Sequence, residues 1–399
     1  MRKLMILGAG PNQIPLIRAA KKNGYHVIVC DYSETAPGVP LADELCLVSI
    51  MDKEGVLQAA REKQVDGVIS NSEPAMPVVA YVGNAVGVPA NSIQTISYMS
   101  DKTKFREILG ANDFRVPKHG SAKNVEQART LALEIGFPLM MKPAASSGSR
   151  GVRKMESFDQ FDTSFQTALD FSRTDEVILE EYIENHCANV TGGDIFVLDG
   201  EVVFYGLMSC IRDQKNAPLV PMGEMYPPVL TPSQEQEIKS ELSRAVNVLG
   251  VRFGTVNVEI MLDSEGRVFF VELNPRNGGN MIPEELHLAT GFDIFGATVT
   301  AAMGDGLPEE CKEAKAGNGA FVTYMVHTME TGVLKQVSFS EFLAPHIVGY
   351  YPDMMPGEQV EPFLSADKKI GVLMLRFDSV EQRDAMLEEI EDHILAELE

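Results

Sequence analysis

Two carboxylates and one amide in the second half of the chain are spaced so that a single cation could reach all three. The stretch Gly254-Thr255-Val256-Asn257-Val258-Glu259-Ile260-Met261 runs into the turn Asp263-Ser264-Glu265-Gly266, and Phe270-Val271-Glu272-Leu273-Asn274-Pro275-Arg276 follows. Side chains alternate along a strand, so Asn257, Glu259 and Met261 share one face, as do Glu272 and Asn274. If Leu262 and Arg267 close the turn, paired residue numbers sum to 529 and Glu259 and Glu272 lie on the same face of a hairpin. A two-residue slip keeps them together, and only a one-residue bulge separates them. Two carboxylates about 4 Å apart repel by about 4 kcal/mol at an effective dielectric near 20, which argues for a cation between them. Carboxylate and amide oxygens without imidazole or thiolate select a hard metal, and so small a set leaves room for phosphates, so Mg²⁺ fits better than Ca²⁺ or Zn²⁺. The plainer alternative, two solvated edge acids, sits poorly with the flanking apolar run Val268-Phe269-Phe270-Val271.

Other residues add to this constellation. Arg276, four residues past Glu272, could place a guanidinium beside the metal and stabilise charge on a phosphoryl or tetrahedral centre; a structural ion pair is the alternative. Gly278, Gly279 and Asn280 allow close backbone approach by a ligand, or make a plain turn. Lys142 ends an apolar strand and precedes Ala145-Ser146-Ser147-Gly148-Ser149-Arg150-Gly151, whose amides could cover phosphates. The lysine precedes the glycines, so this is no Walker A loop. Val177-Ile178-Leu179-Glu180-Glu181-Tyr182-Ile183 is an apolar strand running into acids, where backbone groups could read an adenine edge. Near the N-terminus, Gly8-Ala9-Gly10-Pro11-Asn12-Gln13 opens a helix and Asp31 ends the next strand, an arrangement similar to a dinucleotide fingerprint. Gln13 stands where the third glycine belongs, and a tight strand-to-helix turn needs glycines with or without a cofactor.

The elements that must carry these residues follow from periodicity. Residues 3–90 alternate short apolar runs with helical stretches, at 3–7, 11–23, 26–30, 44–50, 53–63, 67–70 and 75–86; this rhythm predicts a parallel, doubly wound sheet. Beyond residue 177 hairpins dominate, 194–198 with 202–206 and 255–262 with 267–273, so an antiparallel sheet is expected. The predicted class is α/β and α+β: a Rossmann-like domain at 1–92, a two-lobed domain at 93–300 with a lid lobe near 115–185, and a small α+β module at 301–399. That module is predicted to end in an amphipathic helix over 380–398.

With 34 Lys+Arg against 57 Asp+Glu, a formal charge of −23 disfavours a nucleic-acid or anionic-membrane partner. Five scattered cysteines form no CxxC, so neither a disulfide framework nor a zinc site is indicated, and a reducing cytoplasm is the expected compartment. The apolar run after Met1-Arg2-Lys3 is too short for a signal peptide.

The order Asp101-Lys102, Lys142 with its loop, Glu180-Glu181-Tyr182-Ile183, Glu259 and Glu272-Leu273-Asn274-Pro275-Arg276 strongly resembles the ATP-grasp superfamily over essentially the whole chain. The resemblance implies ATP and Mg²⁺ as cofactors. It assigns Lys102 and Lys142 to phosphates, Ser146, Ser147, Gly148 and Gly151 to the lid, and Glu180, Glu181 and Ile183 to the adenine hinge. It gives Glu259, Glu272 and Asn274 to the metal, and makes Arg276 and Lys142 catalytic. Glu73, in Asn71-Ser72-Glu73-Pro74-Ala75, is similar to a segment that biotin carboxylase turns towards its site; a helix-start acid is the alternative. Arg212 and Lys215 are expected to face the reaction centre with Gly278, Gly279 and Asn280. Two departures stand out: Cys187-Ala188-Asn189-Val190 holds no ribose acid, and Asn277-Gly278-Gly279-Asn280 replaces the Gln-Val-Glu of biotin carboxylases. They point to a carboxylate–amine ligase similar to the L-amino acid ligases, with small-molecule acid and amine as partners and a homodimer compatible with the resemblance. The rivals are a bicarbonate-using carboxylase or carbamate former, and a nucleotide-binding regulatory protein.

Overall fold

A computed structural model describes residues 1–399 apart from 147–149, 188, 213–218 and 316. The first sheet is parallel, in the order Glu44–Leu47, His26–Asp31, Lys3–Leu7, Gly67–Ile69, with Leu4 beside Val27 and Met5 beside Val68. Alternation sends Met5, Leu7, Ile28 and Cys30 into one core and Leu4, Ile6, Val27 and Val29 into another. Val299, Ala302 and Met303 join the second core, so the helix Ile294–Ala302 closes the sheet from below. The Gly8 turn has φ +96° and is filled by the Gln13 side chain. Asp31 accepts from the amides of Ala9 (2.8 Å) and Ser33 (2.9 Å): the acid of the apparent dinucleotide motif is used by backbone.

The lid sheet is antiparallel, in the order His119–Ala122, Val177–Glu181, Leu139–Pro143, Arg153–Met155. Leu139, Met141, Val177 and Leu179 pack on the helices Val125–Ile135 and Phe161–Asp170. The intervening side chains Met140, Lys142 and Glu180 therefore face the other way. The central sheet has eight strands, in the order Val268–Asn274, Gly254–Leu262, Val190–Leu198, Glu201–Arg212, Pro221–Tyr226, Ala320–Val326, Gly371–Phe377, Ile347–Pro352. It thus continues across residue 300. One face packs the helix Pro232–Leu249, whose Ile238, Leu242 and Val246 meet Val256, Val258, Ile260, Phe270 and Leu273. A capping box between Thr231 and Gln234 starts that helix.

The C-terminus corrects an expectation. The helix ends at Glu389, a short 3₁₀ turn Ile390–His393 follows, and Ile394–Leu398 is a strand paired with Gly332–Phe339. Ile394 and Leu398, four residues apart, fit either period, while Leu395 turns outward in the strand; a waiting edge strand supplied the backbone partners that decided it. The side chain that the helix buries is Arg383, whose Nη1 donates to the Pro227 carbonyl at 2.8 Å.

Candidate functional site

The hairpin holds Glu259 and Glu272 directly opposite each other, by a register other than the expected one. Leu262 pairs with Val268, Met261 with Phe269 and Ile260 with Phe270; Glu259 then pairs with Glu272 and Asn257 with Asn274. The first three pairs sum to 530, a register that by itself would turn Glu272 to the wrong face. One extra residue, Val271, is inserted between Phe270 and Glu272 and brings the acid back. The bulge expected to separate the two carboxylates is what unites them. Asn274 Nδ2 donates to Glu272 Oε1 at 2.9 Å, Lys102 Nζ lies 3.5 Å from Glu272 Oε2, and Arg212 donates to Glu259. Burial opposes the charge on Glu272, yet Lys102, the Asn274 amide and Arg276 together hold its carboxyl below the usual range.

Glu259, Glu272, Lys102 and Arg212 line a cavity of about 590 Å³ between the lid sheet and the hairpin. At one end stand Lys102, Lys142, Ser146, Glu259 and Glu272; at the other, Met140, Ile183, Met261 and Phe269 make an apolar slot beside Glu181 and Tyr182. Lys102 also donates to the Ser146 carbonyl at 3.2 Å, and the Glu181 carboxylate accepts from the Lys118 amide at 3.2 Å. Glu180, expected at the adenine hinge, has its carboxylate buried between Lys142 (2.6 Å) and Arg106 (2.7 Å). Burial opposes its charge, and the two cations carry its carboxyl far below the usual range. Arg212, expected among the substrate residues, lines this first cavity. Gly151 has φ +72°, and a Cβ there would meet Phe171, Ala168 and Pro143, so it is a packing glycine behind the loop. Ser147, Gly148 and Lys215 lie outside the described residues.

Past Asn274 the chain turns to a second cavity of about 580 Å³. Arg276 lines it and reaches Asn257 Oδ1 at 3.2 Å and Glu73 Oε2 at 3.3 Å, while Arg173 reaches the other Glu73 oxygen at 2.7 Å. Glu73 thus joins the first domain to the lid lobe and to Arg276. Gly278, Gly279 and Asn280 line the cavity too. Gly278 is small for a packing reason, since a Cβ would sit 2.8 Å from Asn257 and Ile282; Gly279 faces open space. The Gly278 amide donates to both oxygens of buried Asp194, at 2.8 and 3.0 Å. Asn280 and Met281 both take left-handed φ, 52° and 66°, a strain that clusters at ligand sites.

The family described as "Carbamoyl-phosphate synthase L chain, ATP binding domain" matches residues 101–310, and "PylC-like, N-terminal domain" matches 4–91. The chain belongs to the ATP-grasp ligases. A formate-dependent phosphoribosylglycinamide formyltransferase of Bacteroides thetaiotaomicron is 24% identical over 94% of this chain and 93% of its own. The 2-oxoglutarate carboxylase small subunit of Hydrogenobacter thermophilus is 27% identical over 77% and 67%. In fold, the L-amino acid ligase of Bacillus licheniformis superposes with a TM-score of 0.84 over 100% of this chain and 99% of its own, at 18% identity. As an ATP-grasp ligase the chain belongs to a superfamily that works with Mg·ATP, and one structural neighbour, a biotin carboxylase domain, is seen with MgADP.

In this ATP-grasp chain the sequence reading missed Arg106, Arg173 and Asp194. Arg106 had a signal: it stands between Phe105 and Leu109 on a helix that buries both. Asp194 had one as well, being the only acid in the otherwise buried strand Val190–Leu198. Arg173, in a polar loop, had none. Among the described residues no helix is long and apolar enough to cross a membrane.

Proposed function

We propose that this ATP-grasp ligase joins a carboxylate to an amine through an acyl phosphate. The observation that carries the reading is the second cavity, which Arg276 lines and which is as large as the first. A cavity of that size admits an acid and an amine, whereas a lone bicarbonate would need a fraction of it. The end-to-end relative named for formate-dependent formyl transfer fits the same chemistry.

The first cavity takes ATP, its adenine against Met140, Ile183, Met261 and Phe269 and its phosphates towards Lys102 and Lys142. The donor set suits Mg²⁺: two opposed carboxylates, Glu259 and Glu272, with the Asn274 side-chain oxygen left unused because its Nδ2 serves Glu272. Mg²⁺ held there would neutralise charge on the phosphates. Lys102 and Arg212 already counter the two acids before any metal binds.

A carboxylate oxygen of the acid attacks the γ-phosphorus as the bond to the β,γ-bridging oxygen breaks and ADP leaves. Arg276 holds the acyl phosphate through charge-assisted hydrogen bonds. The amine nitrogen then attacks the acyl carbon, Arg276 stabilises the tetrahedral oxyanion, and the C–O bond to phosphate breaks as the nitrogen loses its proton to water. The test is mass spectrometry with an ¹⁸O-labelled carboxylate. Label should appear in the released phosphate; an amide formed with unlabelled phosphate would rule the acyl phosphate out.

The carbamate-forming alternative is favoured by the carbamoyl-phosphate synthase family model and by the carboxylase relative. It requires ADP release that depends on bicarbonate and needs no other carboxylate.

A further inference from the structure

Arg106 is wholly buried, one turn past Lys102 on the helix Lys102–Gly110, and all three guanidinium nitrogens are engaged. Nε donates to Glu180 Oε1 at 2.7 Å, Nη1 to the Phe270 carbonyl at 2.7 Å and Nη2 to the Val271 carbonyl at 2.9 Å. Consecutive carbonyls of a regular strand point to opposite sides. Two neighbouring carbonyls can meet one guanidinium here because the bulge turns them the same way. The remaining Glu180 oxygen holds Lys142 Nζ at 2.6 Å.

We infer that Arg106 is a positioning residue which sets Glu272 and Lys142 together, tying the bulged hairpin to the lid sheet. The inference rests on the proposed roles of those two residues and goes beyond them. Without the guanidinium two buried carbonyls lose their donors. The hairpin can then continue in the register of its first three pairs, which places Val271 opposite Glu259 and sends Glu272 to the helix-covered face. Lys142 is affected through the other branch, since Glu180 would lose the cation that orients it. A lysine cannot replace this fork, because one ammonium does not span two carbonyls and a carboxylate in a fixed plane.

Calorimetry of AMP-PNP binding with and without Mg²⁺, together with melting temperature, separates positioning from bulk stability. Arg106→Lys should weaken AMP-PNP binding without Mg²⁺ only modestly, through Lys142, while the further gain in affinity on adding Mg²⁺ falls about 10–100-fold, the usual loss when a residue that orients a metal ligand is removed. A lowered melting temperature with the Mg²⁺ gain intact would overturn the inference. Should Arg106→Met not fold, Arg106→Lys decides alone. Glu272→Gln is run beside it. If Glu272→Gln keeps the Mg²⁺ gain, the metal reading falls and this inference with it; if Glu272→Gln loses the gain and Arg106→Lys does not, only this inference falls.

Discussion

The two cavities are nearly equal in size, about 590 and 580 Å³, yet they are built on opposite plans. The first sets its chemistry on paired antiparallel strands: Lys142 and Glu180 on neighbouring strands of the lid sheet, Glu259 and Glu272 across one turn. The second gathers Asn12 and Glu73 from the first domain, Arg276 and Glu284 from the middle of the chain, and Tyr351, Asp353 and Lys369 from the C-terminal region. A site built on paired strands is fixed by the sheet that carries it. A site built where three regions meet can change its lining without disturbing any one of them, which suits a chain whose relatives and neighbours include a formyltransferase, a carboxylase and an L-amino acid ligase.

That contrast can be broken most severely at the hairpin. Glu272→Gln should abolish ATP turnover and make nucleotide binding indifferent to Mg²⁺; undiminished turnover would remove the metal from the hairpin. Next comes Arg276→Met, on the boundary between the plans. It should leave ATP binding in place and lower amide formation by about 10²–10³, the usual loss for one charge-assisted donor to a developing oxyanion; equal losses of binding and turnover would place Arg276 with the nucleotide. Lys369, paired with Asp353 at 2.9 Å, belongs to the variable plan alone. Lys369→Ala should raise KM for the acid or the amine by less than about tenfold, in line with a partly exposed charge, with KM for ATP unmoved. A change confined to ATP would show that the cavities are not independent.

The same contrast explains what was legible in the sequence. Alternation alone placed Glu259 and Glu272 on one face, and the order of lysines and acids indicated the ATP-grasp fold. The means were not legible. A bulge at Val271 leaves no mark in a run of apolar residues, and the expected closing pair was off by one. Arg106 was hidden because a buried arginine reads as a solvated one until its three partners, from two separate strands, are in place. Glu73 was found only by likeness, and its bonds to Arg173 and Arg276 depend on how three regions pack. The C-terminal strand was lost to a short apolar run that fits two periods.

The smallest expected effect concerns an acid that neither plan pairs. Glu224 stands beside Cys210 on the strand next to the first cavity's wall, and its Oε2 has no hydrogen-bond partner among the described residues. Burial pushes its carboxyl up to about 8 from 4.5, with Glu259 and Asp194 adding to the rise against the pull of Cys210 and Arg212. The sign follows from proton counting. Between pH 4.5 and about 8 the unfolded chain has released this proton while the folded chain keeps it, so stability falls as pH rises across that window. Buried Asp194, raised to about 7 mainly by burial, acts in the same direction, whereas Glu272, held low by its cations, acts in the opposite one at acid pH. Only a difference between two proteins isolates Glu224. Glu224→Gln keeps the shape and has no proton to hold, so its advantage over the parent should grow with pH through the window, by at most about 1.4 kcal/mol per pH unit for one proton. Urea unfolding of both proteins at pH 5, 6.5 and 8 measures it. If the two stability curves run parallel, Glu224 is ionised in the folded protein, and some cation at the first cavity must be pairing with it after all.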